Sequence, residues 1–217
     1  GLEFDGVGTG AGELLEEALA AVGLAGEEGA AGGGMGGVEK GLIELRGRPL
    51  LAHVIERLRP QVDELLLNAN REIQRYAAFG VPVVGDVIEG CVGPLAGLHA
   101  GLVRATHDLV LSVPCDAPSL PGDLASRLLA RMETEDAELA IARSRGRMHP
   151  VFCLCRRALV EDLAGYLDAG GRAVRTWVES RRLAIEDFDD EPAAFENINT
   201  IEDVRRLEAP GGLSGAA

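Results

Sequence analysis

Short apolar runs alternate with stretches of helical spacing along most of this chain, and that alternation constrains the fold more than any other feature. Residues 109–113 (LVLSV) are apolar but for Ser112, and 64–68 (ELLLN), 81–84 (VPVV), 139–142 (LAIA) and 151–154 (VFCL) are of the same kind. Between them, residues 49–58 (PLLAHVIERL) carry apolar side chains at helical spacing with proline in the first turn. Further helices are predicted over about 71–79, 93–105, 121–132, 158–167, 174–179 and 200–207, the last with Thr200 and Asp203 as a capping box. An apolar run between two helices reads as a strand buried on both faces, which is a parallel strand. The expected class is therefore α/β, with a mostly parallel sheet covered by helices on both sides. Residues 145–149 read as a basic turn, and 195–200 as a strand end followed by a helix cap. Near the N-terminus, 12–22 (GELLEEALAAV) has helical spacing, and Leu24-Ala25-Gly26 reads as the end of a short strand. The expected organisation is an N-terminal segment over 1–22, disordered in its first part, a single domain over 23–209 and a loose tail over 210–217.

The 217 residues suit one such domain. Hydrophobic residues make up 47% but aromatic residues only 4%, so the core must rest on Leu, Val, Ala and Ile. The net charge of −14 argues against nucleic acid or an acidic membrane as a partner. Residues 1–39 hold eight acids and no Lys or Arg. The four cysteines, Cys91, Cys115, Cys153 and Cys155, form no CxxC pair, so no zinc site is expected. Cys153 and Cys155 alternate in an apolar run and read as buried free thiols in a reducing compartment. No apolar run is long enough to span a membrane, and no basic-then-apolar leader is seen, so a cytoplasmic protein is expected.

Residues 32–37 (GGGMGG) are five glycines in six, followed closely by Lys40, the only lysine of the chain. Successive N–H groups in such a loop form a nest for phosphate, and a lysine adds a compact charge with three donors. The alternative is a flexible surface loop with a solvated lysine. In parallel sheets ligands bind beyond the carboxyl ends of the strands. Three such ends carry polar residues, Asn68, Asp86 and Asp116. Asp116 is a hard oxygen ligand suited to Mg²⁺ on nucleotide phosphates, or a turn residue before Pro118. Asn68 and Asp86 suit a base or ribose, or serve as caps. Gly93 and Gly97 flank a helix start, where backbone can approach an anion. His149 precedes Pro150 and reads as catalytic or structural. Asn197 and Asn199 alternate, which places two amides on one face as a polar patch or as caps.

Met35-Gly36-Gly37-Val38-Glu39-Lys40-Gly41-Leu42, Asn68-Ala69-Asn70-Arg71, Gly93-Pro94-Leu95-Ala96-Gly97, Pro114-Cys115-Asp116, His149-Pro150 and Asn197-Ile198-Asn199-Thr200 follow one another in this order. Over roughly residues 35–208, their joint order and spacing resemble the molybdenum cofactor guanylyltransferases of the GT-A-like nucleotidyltransferase superfamily. The resemblance implies a Rossmann-like three-layer α/β/α fold of the nucleotide-diphospho-sugar transferase type. It implies transfer of GMP from GTP to molybdopterin-bound molybdenum cofactor, with pyrophosphate released and Mg²⁺ as cofactor. Upstream cofactor-synthesis proteins and molybdoenzyme chaperones would be further partners. By position, Leu24, Ala25, Gly26, Lys40, Asn68, Asp86, Gly93 and Asp116 look like nucleotide contacts, with Asp116 also on the metal. Lys40, Asp116, Asn197 and Asn199 look catalytic, and Arg172, His149, Asn197 and Asn199 look like the cofactor side. The nucleophile is a phosphate already ionised at neutral pH, so charge stabilisation and alignment suffice.

The departures from the family pattern lie before Lys40. The family has Leu-Ala-Gly-Gly, a short spacer and an Arg before Met-Gly-Gly. Here Leu24-Ala25-Gly26 lies three residues too far from Met35 and is followed by Glu27; the register at Ala30-Ala31-Gly32-Gly33 lies three too close. Gly34 stands in the place of the arginine, and Glu39 in that of an aspartate. Each acid near a triphosphate costs on the order of 1–2 kcal/mol at an effective dielectric of about 20. Two other readings stay open: a sister nucleotidyltransferase using CTP or a sugar phosphate, and a non-catalytic nucleotide-binding protein with an altered loop.

Overall fold

The computed structural model describes residues 19–24, 39–88, 90, 93–198 and 201–208. In chain order the elements are β1 (Leu19–Leu24), β2 (Glu44–Leu45), β3 (Arg48–Pro49), α1 (Leu50–Leu58), β4 (Glu64–Asn68), α2 (Ile73–Ala77), β5 (Val83–Val84), α3 (Pro94–Arg104), β6 (Leu109–Pro114), α4 (Leu124–Thr134), β7 (Leu139–Ser144), β8 (Arg147–Arg156), α5 (Val160–Asp168), α6 (Val174–Glu179), β9 (Leu183–Asp187) and α7 (Ile201–Glu208). Seven strands form one sheet in the order β5-β4-β1-β6-β8-β7-β9. The pairs β5–β4, β4–β1, β1–β6 and β7–β9 are parallel, and β8 runs antiparallel to both neighbours.

Side-chain alternation along the strands divides the core into two layers. Leu19 and Ala21 of β1, with Leu109, Leu111 and Val113 of β6, pack on Val54 and Leu58 of α1 and Leu124, Leu128 and Met132 of α4. Ala20, Val22 and Leu24, with Val110, face the other way onto Leu95, Leu98 and Leu102 of α3, Leu163 and Leu167 of α5, and Trp177 of α6. This is the expected three-layer α/β/α arrangement with a mostly parallel sheet. Among the described residues no helix is long and apolar enough to cross a membrane.

Four expectations are corrected. The helical spacing read over 12–22 does not make a helix at its end: residues 19–22 are the first part of β1, buried throughout and paired on both sides. An apolar run of this length fits either period, and two flanking strands decide between them. The domain therefore starts no later than Leu19, rather than at residue 23; residues 1–18 and 210–217 lie outside the described residues. The basic turn read over 145–149 is only Arg145-Gly146, both at positive φ (51° and 72°), which joins β7 and β8 as a tight hairpin. His149 is thus a strand residue. Residues 195–198 are not a strand end: Phe195 closes a 3₁₀ turn that starts at Pro192, and 196–198 are irregular. Ile198 is buried with Leu45, Leu50 and Val204, which fixes this segment by its side chain instead of by a ladder. The edge strand β9 was missed, because its run LAIED ends in two acids.

Helix α3 crosses β1 closely. A Cβ on Gly101 would lie 2.8 Å from a methyl of Val22, nearer than side-chain carbons approach. Gly101→Ala should therefore destabilise the protein by about 1–3 kcal/mol, the usual cost of overpacking a core, measured as a lower urea midpoint at unchanged slope.

Candidate functional site

Parallel registry sets the site. Leu24 of β1 pairs with Asn68 of β4 and with Pro114 of β6, and Asn68 pairs with Val84 of β5. Four strands thus end at one level, and the chain leaves each of them toward the same edge. The Cys115 N–H donates to the Leu24 carbonyl at 3.0 Å, which carries the pairing one residue past β6. Asp116 follows directly.

Asp116 is 5% exposed. Its Oδ2 lies 3.8 Å from Nζ of Lys40, which sits on a 3₁₀ turn over Lys40–Leu42. Burial pushes the Asp116 carboxyl above its usual pKa, and the Lys40 charge opposes that rise. The Asp116 carbonyl accepts from the Ile198 N–H at 3.0 Å, which draws Asn197 to the same edge. Asn197 is exposed on irregular backbone. Asn199, Ala25, Gly26 and the glycine run 32–37 lie outside the described residues.

Asp86 is held by two amides. Asn68 Nδ2 donates to its Oδ1 at 2.8 Å, Asn70 Nδ2 donates to its Oδ2 at 2.8 Å, and the Asp86 N–H donates to Asn70 Oδ1 at 2.8 Å. Asn68 also donates to the Val84 carbonyl at 3.3 Å and is buried. Its side chain therefore orients Asp86. Asn70 was missed as a site residue although its motif was noted; its spacing of two from Asn68 was the available signal. Gly97 leaves room for this network, since a Cβ there would fall 2.5 Å from Asn68 Oδ1. Gly93 caps α3 at φ 101°, a conformation that favours glycine.

His149 lies on β8, stacked on Phe195 at 5.0 Å between ring centroids and edge-on to Phe152 at 6.2 Å. Its Nε2 is buried with no hydrogen-bond partner among the described residues. Burial first, and then the Arg147 charge, lower its pKa, so the ring is neutral at pH 7. It lines a cavity of about 910 Å³ together with Arg145, Arg147, Glu196, Asn197 and Arg206. Three arginines at this cavity were not singled out from the sequence; the basic run 145–149 was the trace of two. Arg172 donates through Nη1 to the carbonyls of Leu167 (2.8 Å) and Gly171 (2.6 Å) past the end of α5.

The family model of the MobA-like NTP transferase domain matches residues 21–184. A molybdenum cofactor guanylyltransferase of Shewanella sp. (strain ANA-3) is 47% identical over 175 residues, spanning 81% of this chain and 89% of that protein. Its counterpart from Cupriavidus pinatubonensis is 46% identical over 186 residues, 83% and 93% of the two chains. Among solved structures, molybdopterin-guanine dinucleotide biosynthesis protein A from Archaeoglobus fulgidus shares the fold at TM-score 0.71 and 24% identity, covering 88% of this chain and 96% of that one. A Mycobacterium tuberculosis protein solved with manganese shares it at TM-score 0.63 and 20% identity, covering 89% and 98%.

The raised pKa of Asp116 has a consequence for stability. The folded state holds this proton more tightly than the unfolded chain, so the stability it contributes is present below the unfolded pKa of about 3.9 and is lost as pH rises through the folded value. At pH 7 the burial of this carboxyl therefore opposes folding. Asp116→Asn should therefore melt no lower than wild type at pH 7, with the difference closing toward pH 3, measured by thermal denaturation across that range.

Proposed function

This chain belongs to the MobA-like NTP transferase family, and on that premise we infer that it transfers GMP from GTP to the molybdenum cofactor, releasing pyrophosphate. The observation that carries the reading is the pairing of Lys40 with buried Asp116 at the carboxyl edge of the parallel strands. The 47% identity to a guanylyltransferase supports a nucleotidyl-transfer role for that pair.

In the reaction, an oxygen of the acceptor's terminal phosphate attacks the α-phosphorus of GTP. The bond from that phosphorus to the bridging oxygen breaks, and pyrophosphate leaves with the electron pair. The attacking oxygen is already ionised at neutral pH, so no proton must be removed. Lys40 supplies positive charge to the triphosphate as charge moves onto the leaving group. Asp86, held by Asn68 and Asn70, presents two acceptor oxygens. Guanine offers two adjacent donors on its pairing edge, whereas adenine and cytosine each offer a donor beside an acceptor. An oriented carboxylate therefore favours GTP. The glycine-rich stretch is flanked by Leu24 and Glu39, and both flanks lie beside Asp116 through Cys115 and Lys40. We assign the phosphate cradle by sequence to this stretch with Ala25 and Gly26, and give the N-terminus of α3 at Gly93 a share in the anion contacts.

Magnesium is the ion we assign, with Asp116 as its carboxylate. Asp116 fits, because it is a hard oxygen donor whose buried charge a cation would offset. Among the described residues no cluster of three His, Cys, Asp or Glu accompanies it, so phosphate and water oxygens would complete the shell, as Mg²⁺ tolerates. When bound, it neutralises charge on the triphosphate. The cavity beyond Asn197 is assigned to the acceptor: His149 on its Phe195 stack offers a flat face and a buried ring nitrogen, and Arg145 and Arg147 suit an anion, while Arg206 is paired with Asp203 at 3.0 Å and Glu196 at 3.7 Å. Asn199 joins Asn197 there by sequence. Arg172 is assigned to the acceptor side by its place in the sequence after Gly170-Gly171. The buried free thiols Cys115, Cys153 and Cys155 suit a cytoplasmic setting, where synthesis enzymes upstream and molybdoenzyme chaperones downstream would be met.

Titration with GTP, ATP and CTP in Mg²⁺ should show GTP bound tightest; equal affinity for all three would overturn the guanylyl reading. Lys40→Ala should weaken GTP binding by about 1.5–3 kcal/mol, with Lys40→Arg recovering only part, since a planar fork replaces a point charge poorly. Asn197→Ala should lower conversion of the molybdenum cofactor while leaving GTP affinity within about twofold, as read by calorimetry beside a turnover assay.

A further inference from the structure

Tyr76 lies outside every motif, yet it is buried completely beneath the turn that carries Lys40. It belongs to the short helix α2, and its ring packs with Leu51, Leu67, Ala69, Val81 and Cys115. Its hydroxyl donates to Oε2 of Glu39, the residue before Lys40, at 3.2 Å. Gly41, the residue after Lys40, is pressed against the same floor. A Cβ at position 41 would lie 3.1 Å from Cys115 Sγ and 3.4 Å from the Tyr76 hydroxyl oxygen. Both neighbours of Lys40 are thus seated on Tyr76, and Cys115 in the same floor directly precedes Asp116.

We propose that Tyr76 is a positioning residue for Lys40, fixing the turn on which the ammonium group reaches Asp116 and the nucleotide; this rests on the nucleotide site proposed above. The Lys40 side chain is long and flexible, so its aim depends on where its backbone is held. Pinning Glu39 and Gly41 removes that freedom before substrate arrives, which is where a displacement of about 1 Å would lose much of the benefit. The Glu39 contact has a second effect. An acid next to a triphosphate is repulsive, but this carboxylate is turned onto the buried phenol, whose proton is retained because burial, Cys115 and Glu39 all raise its pKa well above the ordinary value. The hydrogen bond keeps an acid of the loop directed toward the core.

The test is a double-mutant cycle read by GTP binding in Mg²⁺ and by steady-state kinetics. Tyr76→Phe keeps the ring and removes only the hydroxyl. It should weaken GTP binding about tenfold, the scale of a lost hydrogen bond to a charged group, and raise KM for GTP more than it lowers kcat. In a Lys40→Ala background the same change should alter GTP binding less than about twofold, because the group being positioned is gone. Gly41→Ala, which pushes the turn off Cys115 without altering the aromatic floor, should weaken GTP binding and show the same dependence on Lys40, and it serves if Tyr76→Phe fails to fold. Wild-type affinity in Tyr76→Phe overturns the proposal. An equal loss in both backgrounds also overturns it, since the hydroxyl would then act through packing alone. If Lys40→Ala itself binds GTP as well as wild type, the nucleotide site falls and this proposal with it, a result distinct from the other two.

Discussion

β1 is hydrogen-bonded to a parallel neighbour on each side and buried on both faces, and the position of every candidate group follows from that. A strand in this setting cannot slip by one residue without turning Val22 and Leu24 into the layer that holds α1 and α4. Helix α3 lies close over it, since a Cβ at Gly101 would fall 2.8 Å from Val22 and one at Gly97 2.8 Å from Leu24. With β1 fixed, the ends of β4, β5 and β6 fall at one level. The polar residues just past those ends become neighbours although they are separated by dozens of residues in sequence.

The chain is acidic, yet the reaction assigned to it handles a triphosphate. The structure resolves this locally: among the described residues, three acids near the edge proposed for the nucleotide each have a partner. Asp86 is held by the amides of Asn68 and Asn70. Glu39 accepts from Tyr76. Asp116 is buried beside Lys40, the single lysine, at a distance too long for a tight ion pair. A loose pair in a desolvated setting leaves both charges able to respond to a ligand, whereas a close bidentate pair would satisfy them in advance. An acid that opposes folding at pH 7 is retained where a cation would make use of it, which is the usual trade between stability and function.

Much of this was legible in the sequence, and what was missed has physical causes. β4 and α6 were predicted with their observed bounds, because apolar runs and helical spacing there compete with nothing else. Asp86 and Asp116 were legible as polar residues closing apolar strands. β1 was read as part of a helix because an alanine-rich run suits both periods, and only its two neighbours distinguish them. Tyr76 carried no signal at all: a lone tyrosine in a short helix becomes relevant only when the fold puts its hydroxyl under Lys40. The arginines of the acceptor cavity come from the β7–β8 hairpin and from α7, so no local window contains them together.

The reversal of β8 links the two halves of the site. β7 follows β6 through the crossover helix α4 and runs in the same direction, so only β8 is reversed. Here β7 runs out parallel to β9, turns at Arg145-Gly146, and β8 comes back beside β6. The hairpin tip therefore stands beyond the carboxyl end of β6, which puts Arg145, Arg147 and His149 on the same side of the sheet edge as Asp116. The gap between tip and strand end is closed by Phe195 stacked on His149 and by the Ile198 N–H on the Asp116 carbonyl. One backbone hydrogen bond thus joins the edge proposed for the nucleotide to the cavity proposed for the acceptor. With the two substrates placed as proposed, a shift of the 195–198 segment would change their separation, so the packing of Ile198 with Leu45 and Leu50 would bear on the alignment of the reacting phosphates.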